Sequence, residues 1–346
     1  MPKVNRGPDQ PGGVNRSAGT SWQELMNTDA RPVPPFLATE SYSYRGSAPI
    51  AASRYTSSEF ARLECEKMWP NVWQFAAREE DMPVPGDYIV YENAGRSYIV
   101  SRQRDGSVRA FHNVCLHRGR KLRTADGSAD YFQCPFHGFA WNSDGTSKNI
   151  PCRWDFGHLD PDRLRLPEAQ VGRWGGYIFI RENSGGPSLE EFLAPIPEQF
   201  KRWRHEECST VIWVAKVVHA NWKVTMEAFM EAWHTLVTHP QLLPFTGDEN
   251  SAYWTWGDNV NVNLVPFGVV SPHVNATGKS QQWIVDEFIK LLAQESQWDR
   301  LRFRDVIDRP VLQRRRGGRS DGGKRSALIH ASVLVVVLIE DDAVGP

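Results

Sequence analysis

Cysteine is scarce in this chain. Only five occur in 346 residues, an odd number scattered as Cys65, Cys115, Cys134, Cys152 and Cys208. That excludes the disulfide framework of a small secreted domain and points to a reducing cytoplasm. An excess of charge is missing too. Lys and Arg number 40 against 41 Asp and Glu, a net of -1, so no bulk attraction to nucleic acid or to an anionic membrane is expected. The largely apolar run from Ala327 to Ile339, interrupted by His330 and Ser332, is too short to span a bilayer. The N-terminus is polar and rich in Pro and Gly. It lacks the charged start and apolar core of a signal peptide. What remains is ordinary soluble-protein composition, 40% hydrophobic and 23% charged, at a length that suggests two domains. The 14 Trp suit a protein that builds apolar pockets.

Residues 1–45 read as a mobile arm dominated by Pro, Gly, Ser and Asn. Thr56-Ser57-Ser58-Glu59 reads as a capping box opening a helix to about Met68. From Gly86 the period changes to two. Strands are expected over 88–91, 97–100 and 108–111, with turns at Asn93-Ala94-Gly95 and Asp105-Gly106. Further strands, 131–133 and 140–142, lead to a turn at Ser143-Asp144-Gly145. Residues 174–180 read as one closing strand. Ser188 to Glu191 is a second capping box, Pro195 and Pro197 mark a linker, and 211–218 reads as a strand covered on both faces.

Between these strands lie Cys115-Leu116-His117 and Cys134-Pro135-Phe136-His137, each closed by a Gly (Gly119, Gly138). Two short loops thus offer one thiolate and one imidazole each, hung on hairpins of one small antiparallel sheet. Four cysteines would suit a plant-type ferredoxin cluster; the mixed set fits a Rieske 2Fe–2S centre. A structural Cys2His2 zinc knuckle is the alternative. The stretch resembles the Rieske domain family. That resemblance assigns Cys115 and Cys134 to one iron and His117 and His137 to the other.

Residues 221–240 read as one helix capped by Asn221, with Lys223 and Glu227 an i,i+4 pair and Pro240 breaking it at His239. Glu231, His234 and His239 form E-x-x-H-x-x-x-x-H. This resembles the mononuclear iron motif of the large (α) subunit of Rieske non-haem iron oxygenases, among them the aromatic-ring-hydroxylating dioxygenases. A two-His, one-carboxylate triad leaves positions open for O2 beside a substrate. By the resemblance, His234 and His239 hold the iron. Glu231 is the carboxylate linking His234 to a cluster histidine, at the position of His137, in a neighbouring subunit. The resemblance further implies Ala228, Ala232 and Thr235 at a pocket wall, with the strand 259–264 as a further candidate.

The fold it implies is α+β: an N-terminal all-β Rieske domain, 46–185, then an antiparallel-sheet (helix-grip) catalytic domain, 186–312. It implies NADH electrons arriving through a reductase or ferredoxin, a small hydrophobic substrate with O2, and a homotrimer or an assembly with a small β subunit. The family's downstream Asp ligand has no match here; Asp299, Asp305 and Asp308 come too early to be given the role. A helix over 282–300 looks regular, but residues 313–346 lose local consistency, so a truncated or out-of-frame tail is expected. A Rieske monooxygenase, such as a demethylase or steroid hydroxylase, and a catalytically dead electron-transfer protein are the alternatives.

Overall fold

The computed structural model describes residues 22–28, 32–33, 35–38, 48–291 and 331–339. Asp299, Asp305 and Asp308, and most of the expected arm and tail, lie outside the described residues. Two compact units result. One is built on Thr56–Ser209; the other takes the chain up to Tyr55 and from Thr210 to Asp342.

The first unit carries a seven-stranded antiparallel sheet ordered β1-β10-β9-β4-β3-β2-β5. These strands are β1 (Gln74–Arg78), β2 (Asp87–Asn93), β3 (Arg96–Arg102), β4 (Val108–His112), β5 (Gly127–Ser128), β9 (Glu168–Trp174) and β10 (Tyr177–Arg181). A separate three-stranded sheet holds β6 (Tyr131–Gln133), β7 (Ala140–Asn142) and β8 (Ser147–Asn149). Alternation assigns the faces of the large sheet. Ile99 and its partner Phe111 pack on one face with Phe132 and Trp141 of the small sheet. Val100 and its partner Ala110 pack on the other with Tyr98, Ile178 and Ile180.

Turn chemistry fixes the register. Ala94 and Gly95 (φ 50° and 73°) close β2 onto β3 as a primed two-residue turn. Gly175 and Gly176 (φ 57° and 79°) do the same between β9 and β10. The expected single strand over 174–180 is therefore a hairpin junction, because Gly-Gly is itself a turn signal. Gly145 (φ 80°) ends the turn after β7, where an added Cβ would sit 2.5 Å from Phe111 Cε1. Gly145→Ala is expected to destabilise this unit by about 3 kcal/mol, from backbone strain plus overpacking, read as a lowered urea midpoint. An unchanged midpoint would contradict that packing.

Helix boundaries moved by a residue or more from expectation. Ser57, not Thr56, caps the helix Ser58–Leu63 by accepting from Phe60 N. A phenylalanine then stands where the box needs a carboxylate, so no capping box forms, and the chain continues as a π-helical stretch over Glu64–Met68 to the expected end. The second box is complete: Ser188 and Glu191 cap each other around the helix Leu189–Leu193. The expected linker at Pro195 and Pro197 instead contains a short helix, Ile196–Phe200, with Pro tolerated in its first turn. Inside the expected arm, Trp22–Asn27 and Pro35–Ala38 are helical. Leu25 and Met26 are good helix formers.

In the second unit β11 (Ser209–Val218) pairs with β14 (Ala331–Ile339). β14 is apolar except for Ser332 and so has no period-two signal, and alternation could not mark it as a strand. β12 (Ala252–Trp256) and β13 (Val260–Leu264) form an antiparallel hairpin. Residues 281–291 are helical, and Phe288 packs edge-on against Phe245 and Phe267.

Candidate metal centres

The two Cys/His loops leave different sheets, which corrects the expectation of one. The first follows β4 of the seven-stranded sheet; the second joins β6 to β7. Their backbones nevertheless match. Cys115 N donates to Arg120 O and Gly119 N to Cys115 O; Cys134 N donates to Phe139 O and Gly138 N to Cys134 O. Each loop is thus one turn with Gly in the left-handed region four residues after Cys (φ 76° and 79°). The His falls two residues after Cys in one loop and three in the other.

This geometry separates the donors into like pairs. Cys115 and Cys134 are buried, 2% and 3% exposed, with their thiols in hydrogen-bonding reach of each other. His117 and His137 are exposed, with ring centroids 4.8 Å apart, and His117 stacks on Phe139 at 4.7 Å. Burial pushes the Cys115 thiol up. The backbone N–H groups of His117 and Arg118 oppose that, while Cys134 adds to it. A metal group would deprotonate both thiols, and N–H groups already aimed at sulfur favour the thiolate. Among the described residues no three His, Cys, Asp or Glu side chains are placed to hold a single ion. Two sulfurs inside and two imidazoles outside fit a binuclear group with unlike ends.

Sequence reasoning missed what holds the first loop. Asn113 is 3% exposed. Its Oδ1 accepts from Leu122 N and Arg123 N, both at 2.9 Å, and its Nδ2 donates to Ser97 Oγ and Arg123 O. Such a fully satisfied buried amide pins the loop exit. An isolated Asn gives no sequence signal for that role.

The second motif does not sit on one helix. Asn221 caps the helix as expected, accepting from Lys223 N, but the helix runs only Trp222–Glu227. Glu227 accepts from Tyr55 Oη at 2.8 Å, and Lys223 lies over the Tyr55 ring. The chain then loops through 228–234 before the helix Thr235–Thr238. Glu231 stands in this loop. Its Oε2 accepts from the backbone N–H groups of Trp233 and His234, and its Oε1 lies 2.5 Å from His234 Nδ1. Burial pushes the Glu231 carboxyl up, but these hydrogen bonds outweigh it and hold the group below the usual carboxylate range. With Nδ1 engaged, Nε2 is the His234 nitrogen left to face a ligand. His239 leaves helical geometry (φ -129°, ψ 50°), and its ring centroid comes within 5.4 Å of His234's. The long-range reason for the break is Tyr253 of β12, whose Oη accepts from Ala232 N.

Beside this segment lies a cavity of about 380 Å³ lined by Trp233, Leu236, Asp248, Glu249 and His273. Ala228, Ala232 and Thr235 are absent from that lining; Ala232 and Thr235 are buried and Ala228 is exposed. The unwound turn changes which residues share a face. Asp248 is 2% exposed, and its Oδ1 lacks a hydrogen-bond partner among the described residues. Glu249 pairs with His273 Nε2 at 2.5 Å.

Two family models match in order: the Rieske [2Fe-2S] domain over residues 72–158, and the ring hydroxylating alpha subunit (catalytic domain) over 198–305. The glycine betaine monooxygenase oxygenase subunit of Pseudomonas aeruginosa is 27% identical, over 55% of this chain and 44% of that protein. The large oxygenase component of the naphthalene 1,2-dioxygenase system of the same species is 32% identical, over 54% and 43%. The chain therefore spans about half the length of the curated relatives it matches. Among solved structures, a naphthalene 1,2-dioxygenase variant bound to phenanthrene matches with a TM-score of 0.51 at 32% identity, over 54% of this chain and 44% of that one. A quaternary ammonium Rieske monooxygenase in complex with L-carnitine matches in fold with a TM-score of 0.55 at 24% identity, over 62% and 61%. The family carries a 2Fe–2S cluster and a mononuclear Fe(II), takes NADH electrons through partner proteins and forms multimers. Among the described residues no helix is long and apolar enough to cross a membrane. The order of the two matched domains and the kinship of both relatives agree: the chain belongs to the Rieske non-haem iron oxygenases, as a Rieske domain followed by α-subunit catalytic-domain sequence.

Proposed function

We propose that this chain is the oxygenase component of a system that hydroxylates an aromatic or other hydrophobic small molecule in the cytoplasm. Electrons arrive from a ferredoxin or an NADH-dependent reductase, and the chain assembles as a trimer or with a small β subunit. The observation that carries the reading is the pairing of donors, buried thiol with buried thiol and exposed ring with ring. Cys115, Cys134, His117 and His137 hold the cluster; His234 and His239 hold the mononuclear iron. When bound, these groups supply one-electron transfer and O2 activation. The residues' own work is to fix them. Glu231 orients the His234 imidazole through Nδ1, and its carboxylate is the link toward a cluster histidine of a second copy. Residues 46–185 and 186–312 are the two domains of this reading. The matched spans fall inside them, although the compact-unit boundary comes later, at Ser209.

A second reading has one observation in its favour. Asp248 and Glu249 line the cavity together with the exposed Trp233. Carboxylates and an aromatic face suit a small organic cation, and two relatives' names carry glycine betaine and carnitine. Turnover under 18O2 separates the readings. The first expects both oxygen atoms in an aromatic product; the second expects one atom in an oxidised quaternary ammonium compound.

A further inference from the structure

Trp141 is a buried donor that the assignments above leave unused. It is fully buried at 0% exposure, and its indole Nε1–H has no hydrogen-bond partner among the described residues. A buried N–H without an acceptor is costly and rarely kept without a reason. Its surroundings supply one. Trp141 is packed in the same core cluster as Cys115, Cys134 and Phe139. It stands on β7, directly after the second loop, paired across the small sheet with Phe132. Its ring lies nearly parallel to Phe139, which in turn stacks on His117. The Cys115 and Cys134 sulfurs do not accept from it, so the acceptors that loading would add within this apolar cluster are the sulfides of the bound group.

We infer that Trp141 donates its indole N–H to the sulfur side of the cluster and so raises its reduction potential. This rests on the ligand reading above. A donor at sulfur stabilises the electron added on reduction, because the reduced cluster carries more negative charge and is the better acceptor. The backbone donors to Cys115, from His117 and Arg118, come with the loop whatever its side chains. The indole is a side-chain donor, so one substitution can remove it.

The experiment compares the parent with Trp141→Phe, which keeps an aromatic ring on β7 and deletes the N–H. Redox titration followed by electron paramagnetic resonance (EPR) reads the midpoint potential and the cluster signal separately. The expected result is a lower midpoint potential in Trp141→Phe at unchanged iron and sulfide content per chain. In parent protein grown with 15N-indole tryptophan, pulsed EPR should show an indole-nitrogen coupling that Trp141→Phe abolishes. If the variant does not fold, the coupling in the parent decides. An unaltered potential in a fully loaded variant, or a parent without the coupling, would overturn the inference while leaving the ligand assignment standing. A parent with no Rieske signal at all would overturn both.

Discussion

Replacing Cys115 by serine is expected to remove the 2Fe–2S cluster completely, not to weaken it. Cys115 supplies one of only two sulfurs at the site, and it lies in a wall of buried residues that offers no substitute donor. A hydroxyl at 2% exposure is a poor ligand for iron and a poorly solvated group. Cluster-bound iron, acid-labile sulfide and the visible absorbance should all fall to background. Cys152 makes the internal control, since its thiol is exposed. Cys152→Ser should keep full cluster content. Retention of a Rieske-type signal by Cys115→Ser, or its loss in Cys152→Ser, would show that the ligands have been misassigned.

His234→Ala should remove the second centre and spare the first. The two lie in separate compact units, so the cluster signal should be unchanged. Deleting one of two imidazoles is expected to weaken Fe(II) binding on the order of 100-fold or more, and Glu231→Gln about 10–100-fold. Gln keeps the length of the side chain but loses the charge that holds His234 Nδ1. Fe(II) titration of protein whose cluster is already loaded reads both. Equal affinity in His234→Ala and the parent would remove His234 from the site.

The two centres were legible for different reasons. The cluster loops depend on donor type and short spacing, which sequence states directly, and the hairpins around them are marked by Gly95, Gly106 and Gly145. Their equivalence as two copies of one turn was not legible, because His occupies different positions in them. Nor was Asn113, whose role exists only through four hydrogen bonds to three residues, Ser97, Leu122 and Arg123. The helix break before Glu231 was hidden for a related reason. Ala228 to Trp233 reads as good helix, and it is Tyr253, far along the chain, together with Glu231's own bonds to backbone N–H, that stabilises the loop. The Glu231–His234 contact survived that error because the short span between them brings both side chains together in a tight turn as well as on a helix.

The central claim is that Cys115, Cys134, His117 and His137 bind one binuclear iron–sulfur group with unlike ends. Pulsed EPR of the reduced protein tests it most directly, paired with metal and sulfide analysis of the same sample. The account predicts a single cluster signal with hyperfine coupling to two imidazole nitrogens, and sulfide matching the cluster-bound iron. A colourless protein holding zinc at this site and no sulfide would contradict it.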